Sequence, residues 1–275
     1  MTYRYFSANG QVLPTDQALV PLDSIAYSYG FGVYETIRVN DGAVYFLPQH
    51  LARLMTSANA IDLAHNFNSD FLQKAINDLV EANKAETCNL KILLIGGNSA
   101  DDAQLFIQCL NPLFPDRKLY TSGAHAITEN YVRRWPQAKT LNMLPSYLAY
   151  RRAQQEGAYD ALLVDHEGCI REGTRTNFFV IKGKTITSPP ASKILPGVMR
   201  EAVLKVAREN GYRVEERDIK LADLKDFEGA FVTSTSSKVL PLSSIDEHGF
   251  GQPSADLKNL MQLTNDFLAN CGGKI

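Results

Sequence analysis

The sequence predicts two α/β or α+β domains, and three observations carry that prediction. Strand-like and helix-like stretches alternate along the chain rather than segregating. Pro112 and Pro115 interrupt it near the middle, in Asn111-Pro112-Leu113-Phe114-Pro115-Asp116, where neither a helix nor a central strand can continue. The 275 residues also suffice for two cores, at roughly 110 to 150 residues per domain. A smaller N-terminal domain is expected over residues 1–112, a linker over 113–120 and a larger C-terminal domain over 121–275.

The first elements follow from local chemistry. Glu35–Val39 and Ala43–Leu47 are β-rich runs flanking Asn40-Asp41-Gly42, and glycine supplies the positive φ of a tight hairpin. From Pro48 the apolar residues Leu51, Leu54, Met55, Ala58 and Ile61 recur at spacings of three and four, which predicts a one-sided helix. A second helix is expected over Phe71–Ala82, then strands Leu90–Ile95 and Leu105–Leu110. In the second half, helices are expected over Leu144–Glu156 and Pro196–Asn210, with a last one ending at Ala269. Strands are expected over Ala161–Val164, Asn177–Ile181 and Ala230–Thr233.

Composition excludes several functions. A formal charge of −2 with mixed signs provides no field for a polyanion, and no run of Lys and Arg is interleaved with stacking aromatics, so nucleic acid is not an expected partner. Met1-Thr2-Tyr3-Arg4-Tyr5-Phe6 lacks the apolar stretch of a signal peptide. No apolar run reaches the roughly 18 residues that span a bilayer. A soluble cytoplasmic protein without membrane contact is expected. Cys88, Cys109, Cys169 and Cys271 are widely separated and read as reduced thiols with no chemistry. The histidines, His50, His65, His125, His166 and His248, form no metal-ligand spacing and read as surface or packing residues, so no metal is expected. Gly30-Phe31-Gly32 lacks the third glycine of a dinucleotide fingerprint and leads into a strand instead of a helix.

Four segments of the second half combine chemistry-bearing residues. Lys139 lies between Trp135-Pro136 and an amphipathic helix. Ile170-Arg171-Glu172-Gly173-Thr174-Arg175-Thr176-Asn177 is an acid and a glycine turn leading into a strand. Ile194-Leu195-Pro196-Gly197-Val198-Met199-Arg200 opens a helix, whose free amides can cradle a phosphate. Thr233-Ser234-Thr235-Ser236-Ser237 is a hydroxyl-rich turn after an apolar strand. Taken singly each has a plain reading: a solvated lysine, a surface glutamate, an ordinary helix start, a polar turn.

In order, and together with Tyr29-Gly30-Phe31-Gly32-Val33-Tyr34-Glu35-Thr36-Ile37-Arg38 and His50-Leu51-Ala52-Arg53-Leu54, these segments resemble the class IV aminotransferases. That family comprises branched-chain aminotransferases, D-amino acid aminotransferases and aminodeoxychorismate lyases. The resemblance spans about residues 20–245 and implies the fold type IV architecture, pyridoxal 5'-phosphate as cofactor, and a homodimer whose sites lie between the domains and near the partner subunit. By that resemblance Lys139 holds the cofactor through an imine and shuttles a proton, which needs an amine able to shed its charge. Glu172 faces the pyridine nitrogen and Arg53 clamps the phosphate. Asn177, Gly197, Val198, Met199, Ser234 and Thr235 complete the cofactor contacts, several of them through the main chain.

The branches of the family differ in the substrate pocket. D-amino acid enzymes usually carry an arginine where this chain has Gly96, and common bacterial branched-chain enzymes carry a tyrosine where it has Leu144. Arg175 is the expected substitute for the missing carboxylate-binding arginine, its plain reading being an outward loop charge, and Tyr34 is expected to line the same pocket. The resemblance thus implies transamination between a small amino acid, of D- or branched-chain type, and a 2-oxo acid. The alternatives are an aminodeoxychorismate lyase releasing pyruvate and a cofactor-binding protein without turnover.

Overall fold

A computed structural model describes residues 3–270 and the backbone of the strand Gly273–Lys274; Cys271 lies outside the described residues. The chain forms two compact units. The first contains the chain up to Leu113, the short segment Ala138–Asn142 and the C-terminal strand, and the second contains Phe114–Gln137 and Met143–Asn270.

The first unit is built on a seven-stranded sheet. Its strands are β1 (Tyr5–Ala8), β2 (Gln11–Pro14), β3 (Gly32–Asn40), β4 (Ala43–Val44), β5 (Cys88–Ile95) and β6 (Gln104–Leu110), together with Gly273–Lys274. The order is Gly273–Lys274, β4, β3, β5, β6, β1, β2, with every pair antiparallel. Its helices are α1 (Ile25–Tyr29), α2 (Leu47–Asn59) and α3 (Ser69–Asn83). Asp41 and Gly42, both at positive φ, make the two-residue turn between β3 and β4, the combination that matches strand twist. The second hairpin strand stops at Val44, short of the expected Leu47, because Phe46 turns left-handed and begins α2. The Asn68 side chain accepts from the Phe71 amide to cap α3, satisfying one of its free donors. Leu51 and Leu54 from α2 and Leu72, Ile76 and Leu79 from α3 pack on Ile37, Leu90, Ile92 and Ile107 of the sheet.

The second unit holds strands β7 (Ala124–Asn130), β8 (Asp160–Val164), β9 (Ile170–Gly173), β10 (Asn177–Lys182), β11 (Thr185–Ser188), β12 (Arg213–Glu216), β13 (Gly229–Ser234), β14 (Lys238–Ile245) and β15 (His248–Gly249). Its helices are α4 (Leu119–Ser122), α5 (Leu144–Gln155), α6 (Val198–Glu209) and α7 (Ala255–Asn270). The strand path β12-β11-β10-β13-β14-β7-β8-β9 returns to β10 through one pair, Asn177 opposite Glu172, so part of the sheet closes into a ring. Phe178, Val180, Val232, Leu162 and Leu240 belong to one buried apolar cluster. No helix among the described residues is long and apolar enough to cross a membrane.

Two sequence expectations change here. Lys139 was expected within a domain spanning residues 121–275, but Ala138–Asn142 belongs to the first unit. The reason is local: β7 and β8 are parallel and require a long crossover, and Lys139 and Leu141 of that crossover hydrogen-bond to Tyr34 and Gly32 at the start of β3. Within the span expected as a linker, Leu119 already begins α4 and packs on the second core. Cys88, Cys109 and Cys169 are free and buried.

Candidate active site

In the first unit β3 presents alternating faces, with Val33, Glu35, Ile37 and Val39 buried and Tyr34, Thr36 and Arg38 half-buried. Glu35 is therefore a carboxylate on the apolar parity of a strand, and α2 supplies its partners. Arg53 donates from Nε to Oε1 at 2.7 Å and from Nη2 to Oε2 at 2.9 Å, and His50 Nδ1 lies 2.8 Å from Oε2. The side chains of all three are at least nine-tenths buried. Burial pushes the Glu35 carboxyl up, but the Arg53 charge and the bonds from His50 and Arg53 outweigh it and hold it at about 2. Since that carboxylate only accepts, the network assigns the His50 proton to Nδ1. Burial lowers the His50 pKa, Glu35 opposes, and the charges of Arg53 and Lys139 lower it further. His50, expected as a surface or packing residue, is thus part of a buried ionic network, one helical turn from Arg53 and on the same face.

The same helix face positions Lys139. Ser57 Oγ accepts from the Lys139 amide at 3.0 Å, the Tyr34 amide donates to the Lys139 carbonyl at 2.9 Å and the Leu141 amide donates to Gly32 O at 2.9 Å. The Lys139 ammonium lies 4.4 Å from the centroid of the Tyr34 ring, a cation–π distance. Gly96 has a steric explanation within this unit: a Cβ there would lie 2.3 Å from the Phe31 ring, so an aromatic side chain fills the space an arginine stem would need.

The second unit gathers the other expected residues around the strand-ring closure. Glu172 is buried; its Oε1 accepts from Arg133 Nη1 at 2.9 Å and its Oε2 from the Leu195 amide at 3.1 Å. Arg133 also donates to Pro136 O at 3.2 Å, which fixes the fork. Asn177, opposite Glu172, donates from Nδ2 to Leu195 O at 2.9 Å, and a Cβ at Gly197 would lie 1.8 Å from Asn177 Oδ1. Only glycine lets the start of α6 approach so closely. Val198 and Met199 form its first turn, with no side chain capping it. Ser234 Oγ is 2.7 Å from Ser237 Oγ and accepts from the Ser237 amide at 3.0 Å, so it shapes its own turn, with Thr235 half-buried at the turn's centre. Arg175 is exposed; its guanidinium lies 4.2 Å from the Tyr150 ring centroid and 5.0 Å from that of Tyr159, and it donates to Tyr159 O at 3.2 Å.

These residues fit an anionic cofactor. The uncapped α6 start offers main-chain donors and a favourable dipole. Thr233, directly opposite Asn177 in register, has a buried hydroxyl without a protein partner, an arrangement that costs stability unless a ligand or water answers it.

Residues 32–245 match the amino-transferase class IV family. Among curated relatives, the D-alanine aminotransferase of Bacillus licheniformis is 32% identical over 274 residues, covering 95% of this chain and 96% of its own. A probable branched-chain-amino-acid aminotransferase of Rickettsia bellii is 30% identical over 259 residues, covering 88% and 87%. A solved structure of the T.th. branched-chain amino acid aminotransferase with pyridoxamine 5'-phosphate superposes with a TM-score of 0.90 at 25% identity, over 98% of this chain and 95% of that one. The chain belongs to the class IV aminotransferases. It is a transaminase with the fold type IV architecture.

Sequence reasoning gave no site role to Glu35, His50, Ser57 or Arg133. His50, Arg53 and Ser57 share one helix face, and Glu35 interrupts an apolar alternation, so for the first three a signal was present. Arg133 reaches Glu172 from a loop without periodicity, and no sequence signal marked it.

Proposed function

We propose that this chain transfers the amino group of a small amino acid, of D- or branched-chain type, to a 2-oxo acid with pyridoxal 5'-phosphate, and that it acts as a cytoplasmic homodimer. The observation that carries this reading is the meeting of Glu172, Asn177 and the uncapped start of α6 at one strand-ring closure. The relatives, named as D-alanine and branched-chain aminotransferases, support transamination over the lyase alternative.

When bound, the cofactor supplies an electron sink for the pair left at Cα when a proton departs. Lys139 Nζ is the group that carries that proton, held over Tyr34 while Ser57 and the Tyr34 amide fix its main chain. Glu172 would accept a hydrogen bond from the cofactor's protonated ring nitrogen, with Arg133 keeping its carboxylate directed. In the first unit Arg53, oriented by Glu35, would bind a phosphate; in the second the Val198 and Met199 amides and Thr235 would do so, with Ser234 shaping the turn that presents Thr235. Tyr34 and Arg175 bind substrate, the latter through its carboxylate.

Glu172→Gln is expected to retain the cofactor but lower kcat by roughly 10- to 1000-fold, because a neighbouring carboxylate raises a partner's pKa by about 1 to 3 units. Unchanged pre-steady-state proton abstraction would refute the role. The substrate reading is tested by screening D- and L-amino acids in pairs for discharge of the visible cofactor band. One small amino acid should stand out in the wild type, and Arg175→Ala should raise its KM about 10-fold or more, the scale of one charge-assisted bond. A KM that stays put for every amine would remove Arg175 from the pocket.

A further inference from the structure

Asp160 opens β8 with no solvent exposure, yet it carries a carboxylate whose neighbours all donate to it. Oδ1 accepts from the Ala161 amide at 2.9 Å, the Thr174 amide at 3.2 Å and Thr174 Oγ1 at 2.5 Å, while Oδ2 accepts from Thr176 Oγ1 at 2.9 Å. The main chain of the same turn is tied by Gly173 N to Thr176 O at 2.8 Å and by Thr174 N to Ala161 O at 3.0 Å. A Cβ at Gly173 would lie 2.2 Å from Thr176 Oγ1 and 2.5 Å from Asp160 Oδ2, so the glycine leaves the space in which the clamp closes. Burying a carboxyl is costly unless it is hydrogen-bonded, and here three of its four donors come from one turn. Glu172 precedes that turn, Asn177 follows it, and Arg175 projects from between the two clamped threonines.

We propose that Asp160 is a positioning residue: by gripping Thr174 and Thr176 it sets the direction of the Glu172 carboxylate and of the Arg175 guanidinium. This rests on the roles given to Glu172 and Arg175 above. Glu172 and Gly173 are held by pairing with Leu163 and Leu162, so what the clamp adds is the path of Thr174–Thr176 beyond them, and a group misdirected by about 1 Å loses most of its use.

Three variants of the full enzyme with cofactor test this. Asp160→Ala opens the clamp. Asp160→Asn keeps it, because its amide oxygen can face the two main-chain donors while its amine faces Thr176, whose hydroxyl can turn to accept. Thr176→Val removes one strut at constant shape. The readouts are the visible band of the bound cofactor, which responds to protonation of the ring nitrogen, and the separate kcat and KM values. Asp160→Ala is expected to move the band in the same direction as Glu172→Gln, to lower kcat and to raise KM, each by roughly 10-fold on the scale of one lost buried hydrogen bond. Asp160→Asn should restore all three, and Thr176→Val should give a smaller change of the same sign, which keeps the test open if Asp160→Ala does not fold. A wild-type band and wild-type kinetics in folded Asp160→Ala or in Thr176→Val, with the band altered in Glu172→Gln, would overturn the positioning role alone. No change of band in Glu172→Gln would overturn the assignment of Glu172 and this inference with it.

Discussion

Lys139→Ala is expected to lower kcat by about 10⁴-fold or more, at or beyond what one positioned proton carrier contributes, because in the function proposed above the same amine would also anchor the cofactor. The fold should survive the change. The hydrogen bonds that hold residue 139 are its amide to Ser57 Oγ and its carbonyl from the Tyr34 amide, and of its contacts only the one between Nζ and the Tyr34 ring is lost with the side chain. Loss of turnover can therefore be read as loss of chemistry, provided the thermal transition stays near that of the wild type. The checking measurements are single-turnover kinetics with the best substrate of the amino acid screen and the visible spectrum after adding cofactor. A folded variant that still turned over at a few per cent of the wild-type rate, or kept the wild-type band, would remove Lys139 from both roles.

Glu35→Ala should strongly destabilise the first unit. It removes the carboxylate that accepts from both the buried Arg53 guanidinium and the His50 ring, and removing one partner of a buried ion pair costs about 3 to 5 kcal/mol. The melting temperature should fall on the order of 10 °C, and cofactor affinity should weaken because the plane of Arg53 is no longer fixed. The same network makes the fold acid-sensitive. Glu35 has its pKa lowered from 4.5 to about 2, so its contribution is complete above pH 4.5 and is lost as pH falls toward 2, about 3 kcal/mol over that window. The lowered pKa of His50 acts earlier and in the same direction, because the unfolded ring takes up a proton below about pH 6.5 while the folded one resists. Wild-type stability measured by denaturant at stepped pH should therefore decline in two stages on acidification, and Glu35→Ala should show a smaller second stage, the remainder coming from Asp165 and Asp218, whose carboxyls Arg171 also holds low. A flat profile between pH 5 and 2.5 in the wild type would contradict this.

The fold was legible in the sequence wherever period and punctuation agreed. The apolar rhythm of α2, the runs of β5 and β6 and the Asp41-Gly42 turn could be read directly, because each is determined by residues close in sequence. The strands β7 and β14 were not. Ala124–Asn130 lacks the β-branched density of a typical strand and is a strand through parallel pairing on both sides. Lys238–Ile245 contains Pro241, which is tolerated because pairing with β7 begins only at Leu242. The site motifs were visible as an ordered series, since their chemistry demands particular residue types. What held those residues was hidden, because Glu35 lies far in sequence from Arg53, as does Arg133 from Glu172 and Asp160 from Thr174. Such partners are assembled by sheet register and loop path, which no local window contains. The membership of Ala138–Asn142 in the first unit was hidden for the same reason.

The ring of Phe31 over Gly96 constrains how this enzyme could acquire a different preference. An arginine introduced at 96 alone would collide with the ring, and a small residue at 31 alone would open a gap in a packed wall. Each single step therefore passes through a damaged protein, whereas the two together exchange one filled space for another. A side chain at position 96 would therefore need a compensating change at position 31.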